Sequence, residues 1–221
     1  MSRPLARPIT YLITGGETSS ATAPSSEEFR RLLVLVRAAV EARVTLVQLR
    51  EKELAGRVLY ELAAAAADLA RGSATSVLVN DRADIARAAG CDGVHLTTNS
   101  LDASVVRRAF GAEFLTGVSA HTIHEARAAY AAGADFAVFG PVFDTPSKRA
   151  YGPPVGLEAL TKAVRELSPF PLVALGGVGV DRVADVLRAG AAGVAGIRLF
   201  ADGQNLARAV HLIGRRFESL S

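Results

Sequence analysis

The chain has 221 residues, of which 50% are apolar and 21% charged, with a net charge of +3. That suits one large α/β domain or two small ones with a substantial core. Basic residues are scattered among acidic ones with no run of like charge, which argues against a nucleic-acid surface and fits a small anionic ligand gathered by a few cations.

Residues 1–8 carry two Arg and two Pro and no apolar stretch of signal-peptide length. Short apolar runs then alternate with longer segments of helical period. The runs are 9–14, 45–50, 76–80, 93–96, 114–119, 136–140, 172–175 and 193–197. Val77-Leu78-Val79 and Ala137-Val138-Phe139 are apolar throughout, as in strands buried on both faces of a parallel sheet. The predicted helices are 27–42, 56–70, 83–89, 101–110, 123–132, 157–167, 181–189 and 205–217. Ser25 with Glu28, and Thr122 with Glu125, read as capping boxes. The alanine-rich face at 63–67 is flanked by Glu61 and Asp68, and no apolar stretch is long enough for a membrane span. Cys91 is the only cysteine, so no internal disulfide can form and a reducing cytoplasm is expected.

Three helix endings repeat one pattern: Ala89-Gly90-Cys91-Asp92-Gly93-Val94, Ala132-Gly133-Ala134-Asp135-Phe136-Ala137 and Ala189-Gly190-Ala191-Ala192-Gly193-Val194. Each reads as a glycine cap, a short turn and a buried strand. Eight strands alternating with eight helices predict a single (β/α)8 barrel, a TIM barrel, over residues 1–221. An open doubly wound sheet is the alternative, but Gly15-Gly16 is followed by Glu17-Thr18 and the dinucleotide fingerprint is absent. Loop 15–26, rich in Ser, Thr and Gly, is either a mobile element of the functional rim or a solvated connection.

In such a barrel the loops after the strands carry the chemistry. The second run ends Gln48-Leu49-Arg50-Glu51-Lys52, with Gln48 and Arg50 on one face by alternation. An arginine pointing into a barrel calls for an anion, unless it forms a rim ion pair with Glu51. The third run ends Asn80-Asp81-Arg82, where Asp81 is a candidate Mg²⁺ ligand or, with Asn80, a helix cap. Ser119 and His121 end the fifth run. Thr145, Ser147 and Lys148 follow the sixth and suit a phosphate. Gly176-Gly177 follows the seventh, and Ile197-Arg198 the eighth, the usual phosphate end of these barrels.

These residues, with Asp92-Gly93-Val94-His95-Leu96, Gly117-Val118-Ser119-Ala120-His121-Thr122 and Gly140-Pro141-Val142-Phe143, resemble the thiamine phosphate synthase family and its relative, the thiazole tautomerase family. The resemblance runs from the first strand to about Phe200. It implies a transferase that condenses hydroxymethylpyrimidine diphosphate with thiazole phosphate, using Mg²⁺ and cations on the leaving pyrophosphate. It implies Arg50, Lys52 and Lys148 as the catalytic cations. Gln48, Arg50, Lys52 and Asn80 would hold the pyrimidine diphosphate, Asp81 the Mg²⁺, and Ser119 and Lys148 the pyrophosphate. Thr145, Ser147, Gly177 and the amides near Ile197 and Arg198 would hold the thiazole phosphate.

Two departures stand out. Thr97-Thr98-Asn99-Ser100 replaces the synthases' Gly-Gln-Glu-Asp, so Ser100 occupies the place of the second Mg²⁺ ligand. A neutral hydroxyl is a poor Mg²⁺ ligand, and Ser100 can instead cap the helix at Leu101. Arg198 replaces a small residue beside the phosphate amides. A tautomerase would need one phosphate, an acid/base group and no Mg²⁺. The histidine that serves the tautomerase in this resemblance is replaced by Pro141, leaving His95, His121 and His124 as the central histidines. A non-catalytic thiamine phosphate binder is the third alternative. The expected partners are small phosphorylated substrates, with neither nucleic acid nor membrane; a homo-oligomer is compatible with the sequence.

Overall fold

The computed structural model describes residues 5–145 and 153–220. Eight parallel strands close into a barrel in chain order: β1 (Ile9–Ile13), β2 (Leu46–Leu49), β3 (Ser76–Asn80), β4 (Gly93–Leu96), β5 (Leu115–Ala120), β6 (Phe136–Phe139), β7 (Leu172–Ala174) and β8 (Gly193–Gly196). Each is followed by a helix: α1 (Glu27–Glu41), α2 (Gly56–Ala70), α3 (Ala83–Ala88), α4 (Ala103–Phe110), α5 (Ile123–Ala131), α6 (Gly156–Leu167), α7 (Val183–Arg188) and α8 (Gly203–Glu218). The predicted TIM barrel is the observed architecture.

Continuous apolar strands make two cores. Val77 and Val79 face outward into the layer shared with the helices, whereas Leu78 faces the barrel interior. The interior also holds Ile9, Tyr11, Ile13, Leu46, Leu115, Phe136 and Val138. Burying each such side chain stabilises the fold by roughly 1.5–3 kcal/mol. Gly117 makes room inside: a Cβ there would lie 2.4 Å from the Phe136 ring and 2.8 Å from His95 Nδ1.

The three repeated joints form as expected, with Gly90, Gly133 and Gly190 all at positive φ after their helices. Two of them add a carboxylate clamp. Asp92 accepts from the Val77 amide at 2.8 Å, and Asp135 from the Thr116 amide at 2.7 Å. The Thr122 cap also forms, accepting from the Glu125 amide at 3.1 Å. The Ser25–Glu28 box does not. Ser26 is the N-cap residue of α1, and its hydroxyl accepts from the Ala23 amide instead, tightening the preceding turn. No helix among the described residues is long and apolar enough to cross a membrane.

Candidate active site

Register brings the polar strand ends together. Asn80 on β3 lies beside His95 on β4, which lies beside Gly117 on β5. Gln48, 2% exposed at the end of β2, donates from Nε2 to Asn80 Oδ1 at 3.1 Å. Asn80 Nδ2 donates to Asp81 Oδ2 at 2.8 Å. Asp81 sits at φ 60°, a conformation that costs most residues energy and that Asp tolerates better than most. Its other oxygen accepts from the Ser100 hydroxyl and, at 3.4 Å, from Thr97 Oγ1.

Neither predicted capping role survives at this corner. Arg82, not Asp81 or Asn80, is the residue before α3, and no side chain caps that helix. Ser100 does not cap α4. Asp102 does, accepting from the Ser104 amide at 2.8 Å, while Ser100 Oγ accepts from the Thr97 amide at 2.6 Å and turns toward Asp81. A helix N-terminus prefers the carboxylate two residues on, which leaves Ser100 to the site.

Glu51 has a role that the sequence did not reveal. It is 3% exposed, and both its oxygens are taken by loop 15–26. Oε1 accepts from Thr14 Oγ1 at 2.5 Å and the Gly16 amide at 3.2 Å; Oε2 accepts from the Thr18 amide at 3.3 Å and Thr18 Oγ1 at 2.7 Å. The rim ion pair with Arg50 therefore does not form. Thr14 Oγ1 also accepts from the Arg50 amide at 2.8 Å, so the start of the loop is built against the end of β2. Among the described residues, the half-buried Arg50 guanidinium has no hydrogen-bond or ion-pair partner. Lys52 is exposed beyond it.

A buried chain crosses the barrel beneath these groups. The Tyr11 hydroxyl lies 3.1 Å from His95 Nδ1, and His95 Nε2 lies 3.0 Å from Ser119 Oγ. Burial pushes the Tyr11 phenol well above its ordinary value, so it keeps its proton. Burial drives His95 down to about 4, opposed by Asp81 and aided by Arg50. The ring is neutral and carries one N–H. Among the described residues, His95 is the one hydrogen-bonding partner of the Tyr11 hydroxyl. If Nδ1 carried the proton, the buried phenol would have no acceptor, a loss of roughly 1–3 kcal/mol. Hence Tyr11 donates to Nδ1, and Nε2–H donates to Ser119 Oγ.

The other histidines are placed differently. His121 Nδ1 donates to the Gly140 carbonyl at 2.5 Å, a structural bond between β5 and β6. His124 is exposed on α5.

Strands β6 to β8 form the second half of the rim. Loops after β6 and β7 zip together through Val142 N–H to Leu175 O at 2.8 Å and Phe143 N–H to Gly176 O at 3.0 Å. Gly177, at φ 65°, allows this, because a Cβ there would lie 2.8 Å from Asp144 O. Arg182, unremarked in the sequence, lies 4.6 Å over the Phe143 ring and braces the same pair of loops. Thr145 is buried at 6% exposure. Ser147 and Lys148 lie outside the described residues. Ile197 and Arg198 are exposed past β8. A cavity of about 170 Å³ between loop 15–26, α1 and the end of β8 is reached by Ile197 but by none of the other predicted site residues.

The structure thus joins Gln48, Asn80, Asp81 and Ser100 by direct contacts, and couples Ser119 to His95. Arg50 and Lys52 continue from the same β2 end as Gln48, whereas Gly177 stands past β7 and Ile197 and Arg198 past β8. Tyr11 was missed. Its parity with Ile9 and Ile13 marks an inward-facing position, but its partner depends on a register that the sequence does not print.

A closed β/α barrel with polar groups gathered at the C-terminal ends of its strands has the layout of a barrel enzyme. Residues 11–200 match the family described as thiamine monophosphate synthase, and the chain belongs to that family. It is 46% identical over 165 residues to the thiamine-phosphate synthase of Moorella thermoacetica, covering 75% of this chain and 78% of that protein. It is 36% identical over 209 residues to the Roseiflexus sp. RS-1 thiamine-phosphate synthase, covering 93% and 88%. The thiamine phosphate pyrophosphorylase structure from Pyrococcus furiosus superposes with a TM-score of 0.79 at 28% identity, covering 97% of this chain and 98% of that one.

Proposed function

We propose that the chain, as one barrel domain, is a transferase joining hydroxymethylpyrimidine diphosphate to thiazole phosphate, giving thiamine phosphate and pyrophosphate. The C–O bond from the pyrimidine methylene to the diphosphate breaks and pyrophosphate leaves with the electron pair. The thiazole nitrogen then captures the pyrimidine carbocation, forming the C–N bond. Family membership supports this transferase reading over the isomerase.

The observation that carries the site assignment is the Gln48–Asn80–Asp81 contact chain beside an Arg50 guanidinium with no protein partner among the described residues. Gln48, Asn80, Arg50 and Lys52 hold the pyrimidine diphosphate. Ser119 and Lys148 take the departing pyrophosphate. Thr145, Ser147, Gly177 and the amides near Ile197 and Arg198 take the thiazole phosphate.

No group of three or more His, Cys, Asp or Glu side chains among the described residues could hold a metal. The donor set fits Mg²⁺ only with help from substrate, since Mg²⁺ commonly uses one or two carboxylates, water and phosphate oxygens. Asp81 would hold it, with Ser100 a neutral neighbour. Bound there, Mg²⁺ would supply positive charge to a diphosphate leaving group. Arg50 and Lys52 contribute cations of their own at the same end. Cys91 is buried and its thiol is pushed up to about 12, chiefly by burial, which makes it inert and suits a cytoplasmic enzyme.

The test supplies both phosphorylated substrates and Mg²⁺ to the purified chain and measures thiamine phosphate. Product at catalytic enzyme concentration is expected. No product at high enzyme concentration overturns the reading. Metal-free isomerisation of a thiazole carboxylate phosphate would then select the tautomerase. Tight thiamine phosphate binding with neither activity would select the non-catalytic binder.

A further inference from the structure

The Tyr11–His95 pair is not used by any step above, yet its free end touches a residue assigned to the pyrophosphate. A serine hydroxyl has one proton and can either accept or donate along a given line. Because His95 Nε2–H donates to Ser119 Oγ, the serine proton is not spent on the histidine. It remains available toward the open strand ends. The other tautomer would reverse this: an acceptor Nε2 would draw the serine proton inward and turn a lone pair toward the ligand, the wrong polarity for an anion.

We propose that Tyr11 and His95 are positioning residues that hold the Ser119 hydroxyl as a donor to the departing diphosphate. The proposal rests on the transferase reading. The phenol fixes the tautomer and the tautomer fixes the serine. Packing holds the chain in place: Tyr11 meets Phe136 edge-on at 5.6 Å, the His95 and Tyr11 ring centroids are 5.7 Å apart, and Gly117 leaves room for the imidazole.

The first readout is nitrogen NMR of the wild-type chain, which reports which His95 nitrogen carries the proton. Nε2–H is expected; Nδ1–H overturns the proposal. The second is calorimetric affinity for inorganic pyrophosphate, with Mg²⁺, for wild type, Tyr11→Phe, Ser119→Ala and the double variant. Tyr11→Phe keeps the ring and removes only the fixing donor. It should weaken pyrophosphate about tenfold, the scale of one hydrogen bond to a charged group. The double variant should be no weaker than Ser119→Ala alone, because the phenol acts only through the serine. An unchanged Tyr11→Phe affinity, or equal losses with and without Ser119, overturns the proposal while leaving the transferase reading intact. Wild-type protein that neither binds pyrophosphate nor makes thiamine phosphate overturns both.

Discussion

At the barrel end where helices lead into strands, Asp135 accepts from the Thr116 amide and pairs with Arg107 at 2.8 Å. Arg107 also donates to the carbonyls of Gly111, Ala112, Phe114 and Gly133, so its guanidinium is fully engaged by the fold. At the opposite end, among the described residues, Asp81 accepts only from the Asn80, Thr97 and Ser100 side chains. Arg50 there has no side-chain partner among the described residues. The same two residue types close the structure at one end and leave it open at the other. Groups satisfied by the protein hold the fold together, and groups left for a ligand carry function.

Four substitutions or conditions sharpen or break that contrast. Arg50→Ala should lower thiamine phosphate formation by about a thousandfold by removing a cation from the leaving group, with the melting temperature unchanged. An activity close to wild type would return Arg50 to an ornamental role. Asp135→Ala should do the reverse, stranding a buried Thr116 amide and the Arg107 charge. It should cost about 3 kcal/mol in denaturant unfolding while the folded enzyme keeps its turnover.

Acid is the third lever. His95 takes a proton only near 4 when folded, because burial disfavours the charge, but near its ordinary 6.5 when unfolded. Its contribution to stability is therefore constant above about pH 6.5 and lost as pH falls toward 4, by up to about 3 kcal/mol. His95→Gln should flatten that part of the stability–pH curve; a curve of unchanged slope would contradict the neutral ring. The smallest effect belongs to Ser100→Asp. The new carboxylate would face Asp81 and should lower the Mg²⁺ concentration needed for turnover several-fold, with a larger Mg²⁺-dependent rise in melting temperature than wild type. Equal Mg²⁺ responses would move the metal away from Asp81.

Much of the barrel was legible because parallel strands are buried on both faces. The apolar runs located all eight strands and the intervening segments all eight helices, each end within two residues. The glycine-capped joints revealed the repeat because a left-handed cap needs a particular residue. The corner around Ser100 was only half legible. Its facing of Asp81 agreed with the resemblance, but its capping role lost to Asp102, since two neighbours competed for one helix terminus. The alternative of a rim ion pair between Arg50 and Glu51 fails because adjacent residues on a strand point to opposite faces, and only the folded loop shows Thr14, Gly16 and Thr18 converging on Glu51. The Tyr11–His95–Ser119 chain joins β1, β4 and β5 across the interior, a contact that no local pattern encodes.

The most direct test of the contrast is thiamine phosphate formation by Arg50→Ala and Asp135→Ala, assayed side by side at a temperature where both remain folded. Loss of product in the first with retention in the second is the expected result. Equal losses, or loss confined to Asp135→Ala, would contradict the division between a functional and a structural end.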